Sequence, residues 1–588
     1  MLVKNTKVLG NITKEKNNLI SFLKGINFSY VWYFCIFIIF IIVIAIRVYH
    51  LGADPPINLS SSGGLFGDEE ALAHNARNKI LFGKWITDDW NPIIYNPIFT
   101  ILEYSFFYVF RVGLVQLRLV NVLLIFVSFI LLFLTIKENG EKRVVTICLL
   151  FLGFNYILFI YSRLGLNDTF LIFPIVLTLY FWKKGLDNYP ILFFAGVSSF
   201  ACYVTKASAV YFVVATLISL LFAVFQNYCE DRKIKTIRTI AIPIVYFLSG
   251  LLMSFTIWYL LFYIPFKKGF ASVSMSWFNL AMPSNLTQLW KNLTSFTFLK
   301  YLSRTPIELI VCWCYAPLLV YDLIKDWKKV KPLGILIFCW FIGGYMAING
   351  LNYRPLRYFI PLIPPVCILA SFVLDRVWEI GSNNKIKLTK ILYICIAYTF
   401  WIYLLHKYCI GYRSVLSNIL SFLLIILILS FFYFIIEKLK LFSFSHKGNN
   451  VFCIICRSAV ISVILLAMFI NGTQYLRWVR TVKYTVMDTS KDLGKRLDHA
   501  YIAGLWSPLA TIENKHKALY VGNRWFNYKD TFKKYPVTHL FLWDGNNKEE
   551  LRFLNRAYPE IMKRAKLIKI YKIKGLPVRL YEINNMKE

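Results

Sequence analysis

Apolar stretches of about 20 residues recur along this chain, and they constrain its fold more than any other feature. The first runs from Ser29 to Tyr49. Others fall near 116–136, 144–162, 169–182, 189–205, 207–227, 239–263, 305–324, 332–350, 356–374, 391–409, 414–436 and 451–471. A helix of that length matches the hydrocarbon core of a bilayer, where no water satisfies an exposed backbone. Of the 588 residues, 58% are hydrophobic and 18% aromatic, and mean hydropathy is +0.56. No soluble domain has that composition. The sequence therefore predicts a polytopic α-helical membrane protein with about 13 transmembrane helices.

Charge then orients the spans. The formal net charge of +35 fits cytoplasmic loops that collect Lys and Arg beside anionic headgroups. Membrane lipids, and no nucleic acid, are the partners this implies. The segment Pro97 to Phe110 is apolar but short, and it carries Glu103. If it crossed, Lys137/Lys142/Arg143, Lys183/Lys184, Arg232–Arg238 and Lys325–Lys331 would all face outside. As an interfacial helix it leaves all four clusters in the cytoplasm, and that is the expectation. Lys4, Lys7, Lys14, Lys16 and Lys24 precede the first run without a small-residue cleavage pattern, which reads as an uncleaved anchor with a cytoplasmic N-terminus.

The expected organisation is a cytoplasmic 1–28, a transmembrane module over 29–375, further spans over 376–471, and a tail from 472 to 588. The module includes external loops at 50–115 and 264–304. In the tail, Ala500–Ala503, Ala518–Val521, Thr538–Leu542, Leu567–Ile570 and Val578–Tyr581 alternate with polar helical stretches such as Lys548–Ala557. That pattern predicts a small C-terminal α/β domain on the extracytoplasmic side, with a binding or scaffolding role. No cysteine follows Cys456, so this domain has no disulfide framework. The CxxC at Cys453 and Cys456 lies inside an apolar run, where packing accounts for it.

The first loop contains Gly63 to Arg77, reading GGLFGDEEALAHNAR. Asp68, Glu69 and Glu70 follow a glycine turn and open a helix-forming stretch, where Asp68 suits the N-cap and the dipole. A solvated cap would also account for them. Three further motifs share this face in the expected topology. They are Tyr161 to Asp168 (YSRLGLND), Thr205-Lys206-Ala207-Ser208, and Asn352 to Tyr358 (NYRPLRY) before a proline-rich span. Singly, Arg163 and Asp168 would pair, Lys206 would snorkel, and Arg354 and Arg357 would anchor a helix end. Together, an acid cluster and several cations suit an anionic lipid phosphate beside a general base.

The order of these motifs over about residues 30–375 resembles the integral-membrane C-type glycosyltransferases. The nearest branch is that of the protein O-mannosyltransferases and the lipid A aminoarabinose transferase. The resemblance implies a monosaccharide, hexosyl or pentosyl, moved from a polyprenyl-phosphate donor to an acceptor on a lipid, glycan or protein. It implies Asp68 as catalytic base with Glu69 beside it. Arg163, Asp168, Lys206, Arg354, Arg357 and Tyr358 would hold the donor phosphate and lipid. It places the protein in a bacterial cytoplasmic (inner) membrane. The sequence departs from the aminoarabinose branch just before the interfacial helix. That branch has an acid–lysine pair there, and this chain reads Tyr95-Asn96-Pro97-Ile98 with Asp88 and Asp89 upstream, so the donor sugar stays open.

The chemistry stands on its own terms. Cleaving a sugar–phosphate bond leaves charge that Lys and Arg stabilise, and a carboxylate activates the acceptor hydroxyl. A polyprenyl phosphate is already a good leaving group, so neither a cofactor nor a metal is expected. A glycan polymerase or ligase using a lipid-linked oligosaccharide is the nearest alternative. A transporter would place charges at mid-span and show a repeat, and this sequence does neither.

Overall fold

The computed structural model describes residues 28–60, 65–137, 142–230, 237–294, 304–380, 447–521, 526–543 and 549–583. Among them, nine helices are long and apolar enough to cross a membrane, or ten when one bent pair counts as a span. The protein is an integral membrane protein. Of the about 13 expected spans, three are not among these helices. The expected span 189–205 forms the shorter apolar helix Tyr189–Thr205, and 391–409 and 414–436 lie outside the described residues. Residues 1–27, expected in the cytoplasm, also lie outside them.

Two compact units divide the chain, Met1–Ile46 and Arg47–Glu588. The first is described from Phe28 as an apolar helix with Tyr30, Phe34 and Phe37 exposed, as suits a helix facing lipid. In the second unit, small residues set the closest helix approaches. A Cβ at Gly196 would lie 2.1 Å from the Phe247 carbonyl oxygen, and one at Gly250 would lie 2.0 Å from that of Phe193. Only glycine lets the helices Leu192–Thr205 and Ile237–Trp258 meet in this way. The bent pair, Lys142–Phe154 and Tyr156–Ser162, turns by 60° at Asn155. There the Asn155 side chain accepts the Leu158 N–H at 2.9 Å and caps the second helix.

Pro97–Phe110 is a helix of 14 residues, roughly 21 Å long against a hydrocarbon core of about 30 Å. The helix Lys447–Arg480 runs for 34 residues, roughly 50 Å, and carries the chain out of the apolar region into the C-terminal domain. That domain is a five-stranded sheet in the order β2-β1-β3-β5-β4. Its strands are β1 (Tyr501–Gly504), β2 (Lys517–Tyr520), β3 (His539–Trp543), β4 (Ala565–Ile573) and β5 (Leu576–Ile583). β1 pairs in parallel with β2 and β3, and the β4–β5 hairpin adds antiparallel to β3. Each strand falls on one of the apolar runs read from the sequence.

The sheet shares its hydrophobic core with the first loop. Ala73, Ala76, Phe107, Leu114 and Leu117 are buried in one cluster with Val486, Leu493, Ile502, Trp506, Leu509 and Phe541. Arg77, the last residue of the acidic stretch, crosses this boundary and donates to the carbonyls of Thr511 (3.1 Å), Asn514 (2.9 Å) and His516 (2.7 Å). Asp89 and Asn527 exchange backbone-to-side-chain bonds of 2.9 and 3.2 Å across the same boundary. The tail is therefore built onto the loop that carries the acids.

Candidate active site

The acidic stretch folds as two short helices, Asp68–Leu72 and His74–Phe82, with Ala73 between them. Gly67 occupies the N-cap, which moves Asp68 to the first helical position. The Asp68 carboxylate forms an ion pair with the Arg357 guanidinium. Arg357 lies in the turn Leu356–Leu362 that leads into the helix Ile363–Ile380. Its Nε stands 3.8 Å from the Asp168 carboxylate and has no hydrogen-bond partner.

Asp168 lies on the short helix Asn167–Phe170 and pairs directly with the Lys206 ammonium. Lys206 ends the helix Leu192–Thr205, where the chain turns extended. That ammonium also sits over the Tyr358 ring, 3.5 Å from its centroid, a favourable position for a cation on a π face. Two carboxylates and two cations thus meet at the ends of four separate segments, with Tyr358 as one wall. Of these groups, Asp68 keeps 28% of its side chain exposed, Arg357 11% and Asp168 2%. The cluster opens on the Asp68 side. The C-terminal domain brings Tyr520 within electrostatic reach of Arg357.

Glu69 turns elsewhere. Arg118 grips it with two bonds, Nε to Oε2 at 3.0 Å and Nη2 to Oε1 at 2.5 Å. The Gly165 N–H adds a third at 3.1 Å. A Cβ at Gly165 would lie 2.6 Å from the Leu117 side chain, so this approach needs a glycine. Burial favours the neutral acid, but the Arg118 guanidinium overrides it and holds Glu69 below its ordinary carboxylate range. Arg118 also donates to the carbonyls of Leu51 (2.8 Å) and Ala53 (2.6 Å), tying the two ends of the first loop together. Glu70, next along the helix, is buried with both oxygens unpartnered. Burial, and then the charge of Glu69, push its pKa up to about 7.

Of the residues expected at the donor phosphate, Asp168, Lys206, Arg357 and Tyr358 come together with Asp68. Arg163 and Arg354 do not. Arg163 donates to the carbonyls of Tyr49 (3.0 Å) and His50 and lies over the Trp478 ring, 4.3 Å from its centroid. Arg354 donates to the carbonyls of Asn292 (3.1 Å), Leu351 (3.2 Å) and Asn349, and so holds the loop before Arg357 in place. Asp88, on the upstream side of the loop, lies 2.7 Å from His74 Nε2 and accepts the Trp90 N–H at 2.7 Å.

A bundle of apolar helices carries this polar cluster at its span ends, and a small mixed sheet packs onto the first loop beside it. Residues 96–258 match the family model described as dolichyl-phosphate-mannose-protein mannosyltransferase. Among solved structures, the chain is similar to ArnT from Cupriavidus metallidurans bound to undecaprenyl phosphate. That match has a TM-score of 0.53 at 12% identity and covers 94% of this chain and 98% of the other. The apo form of the same protein gives 0.52 at 13% identity, covering 92% and 97%. The apo oligosaccharyltransferase of Archaeoglobus fulgidus gives 0.45 at 10% identity, covering 93% and 74%. No curated protein sequence matches the chain. The resemblance to the C-type glycosyltransferases, in the branch of the mannosyltransferases and ArnT, thus extends from motif order to fold.

Proposed function

We propose that this protein transfers a monosaccharide from a polyprenyl-phosphate donor to an acceptor hydroxyl at the outer face of a bacterial cytoplasmic membrane. The observation that carries this reading is the shared guanidinium of Arg357. It pairs with Asp68 at the open side of the cluster, approaches Asp168 through Nε, and keeps that buried N–H unpartnered. A buried donor left unmatched is costly, and a phosphate oxygen would satisfy it. The ArnT structure similar to this chain holds undecaprenyl phosphate, a lipid of the proposed class.

The proposed mechanism follows from charge. The donor phosphodiester adds one negative charge to two cations and two carboxylates. Asp68 takes the acceptor proton as the acceptor oxygen bonds to the anomeric carbon and the bond from that carbon to the phosphate oxygen breaks. The proton neutralises Asp68 and releases Arg357 to the phosphate, on which charge develops at that moment. Lys206 stabilises the same leaving group. Asp168 holds Lys206 and steers Arg357, and Tyr358 shields the pair. Glu69 fixes the helix that bears Asp68. Arg163 and Arg354 act on the fold.

The test supplies labelled polyprenyl-phosphate monosaccharides to membranes containing the protein and follows the label. Transfer to a glycan, lipid or protein acceptor is the expected result. Use of lipid-linked oligosaccharides alone would favour a ligase, and no transfer from any donor would contradict the proposal.

A further inference from the structure

The β4–β5 hairpin ends in a two-residue turn, Lys574-Gly575, with positive φ at both positions (48° and 87°). Such turns favour Asn or Gly at the first position, because a longer side chain crowds the left-handed backbone. A lysine there is a poor local choice, and an ammonium is a strongly hydrated group to bury. Yet Lys574 is only 6% exposed. Its Nζ donates to the Leu65 carbonyl at 2.8 Å and reaches that of Phe66 at 3.4 Å, just before Gly67 and Asp68. The ammonium also lies within electrostatic reach of Glu69 and Glu70.

The turn is held from behind. The Lys574 N–H donates to Thr485 Oγ1 at 2.8 Å, and that hydroxyl donates to Asp54 Oδ2 at 2.6 Å. Asp54 belongs to the first loop and also accepts the Thr485 N–H at 2.8 Å. The hairpin is thus fastened to the start of the loop and, through Lys574, to the glycine turn that launches the acidic helix.

We infer that this hairpin is a latch on the acidic peptide, with Lys574 as a positioning residue that sets where Asp68 stands relative to Arg357. The inference rests on the proposed function for its consequence, since positioning matters only if Asp68 acts in transfer. Glycine suits the turn better than lysine, so Lys574→Gly relieves the backbone while removing the latch. Lys574→Met keeps the apolar stem and removes the charge. Lys572, exposed on the same hairpin, serves as a control in Lys572→Met.

The experiment uses the full chain in membranes or nanodiscs and makes three measurements. These are thermal stability, hydrogen exchange of the 65–72 amides, and transfer with separate kcat and donor KM. In both Lys574 variants the 65–72 amides should exchange faster and kcat should fall about 10- to 100-fold, the cost of misplacing a reacting group by about 1 Å. Donor KM should hold, because Lys206 and Arg357 are untouched. Lys574→Gly should melt no lower than the unaltered protein, and Lys572→Met should match it throughout. Unchanged exchange and kcat in both Lys574 variants would overturn the latch. So would a kcat loss that follows a fall in melting temperature. If the unaltered protein shows no transfer, the functional reading fails alone, and the exchange measurement still decides the latch.

Discussion

Asp68 and Glu69 are neighbours in one helix with opposite situations. A helix turns by about 100° per residue, enough to point one acid at Arg357 and the other at Arg118. Glu69 is 2% exposed, and both its oxygens are satisfied by a bidentate guanidinium and a backbone N–H. Asp68 is 28% exposed and shares its cation with a second carboxylate. The closed pair joins elements 49 residues apart and has no capacity left for a ligand. The open cluster has a buried N–H to spare. Charges that saturate one another hold a fold together, whereas charges left partly unmatched at an opening are available for chemistry.

The sharpest way to break this contrast is to cut the closed pair. Glu69→Gln would leave the Arg118 guanidinium buried without its counter-charge, a loss of about 3–5 kcal/mol. The expected result is a large fall in melting temperature or in yield of folded protein. The double change Glu69→Leu with Arg118→Met should restore much of it, since no buried charge remains. A Glu69→Gln protein of normal stability would remove the structural half of the comparison.

Changes to the open cluster should act chiefly on the donor. Arg357→Ala and Lys206→Ala each lose a charge-assisted bond worth ~1.5–3 kcal/mol, or about 10- to 100-fold in donor affinity. Arg357→Lys should recover only part of this, because an ammonium lacks the planar fork. Unchanged donor binding in both alanine variants would return these residues to anchoring helix ends.

The smallest effect on transfer is expected at Glu70. Its pKa in the folded protein is pushed up to about 7, so the native state holds a proton that the unfolded chain loses near pH 4.5. Its contribution to stability is therefore fully present below about pH 4.5 and declines until about pH 7. The full swing is up to about 3 kcal/mol. Glu70→Gln should flatten that part of the stability profile, melt higher than the parent at pH 8, and leave transfer nearly intact. An unaltered slope between pH 4.5 and 7 would show that Glu70 titrates normally.

Much of this arrangement was legible in the sequence. Runs of apolar residues give spans because length and hydropathy suffice for them, and alternation in the tail gave all five strands. Asp68, Asp168, Lys206, Arg357 and Tyr358 stood out because polar residues at span ends are few and fall in a recognisable order. Which way a charge points around a helix end is not encoded locally. Arg163 and Arg354 therefore read as phosphate ligands, although each is engaged by backbone carbonyls. The role of Arg118 left no local signal, since its partner Glu69 lies a whole loop away. Lys574 left no signal, because its role depends on a hairpin turn meeting residues more than 500 positions earlier.

The central claim is that Asp68 is the working acid and its neighbour the fixed one. Donor binding and single-turnover transfer, measured on one preparation of correctly inserted Asp68→Asn, test it most directly. Asparagine keeps the size of the side chain and removes its charge and its basicity. Transfer should fall by at least about 100-fold, the lower end of general-base catalysis, while donor affinity and melting temperature change little. Near-normal transfer would contradict the claim, as would a loss of transfer fully accounted for by lost donor binding.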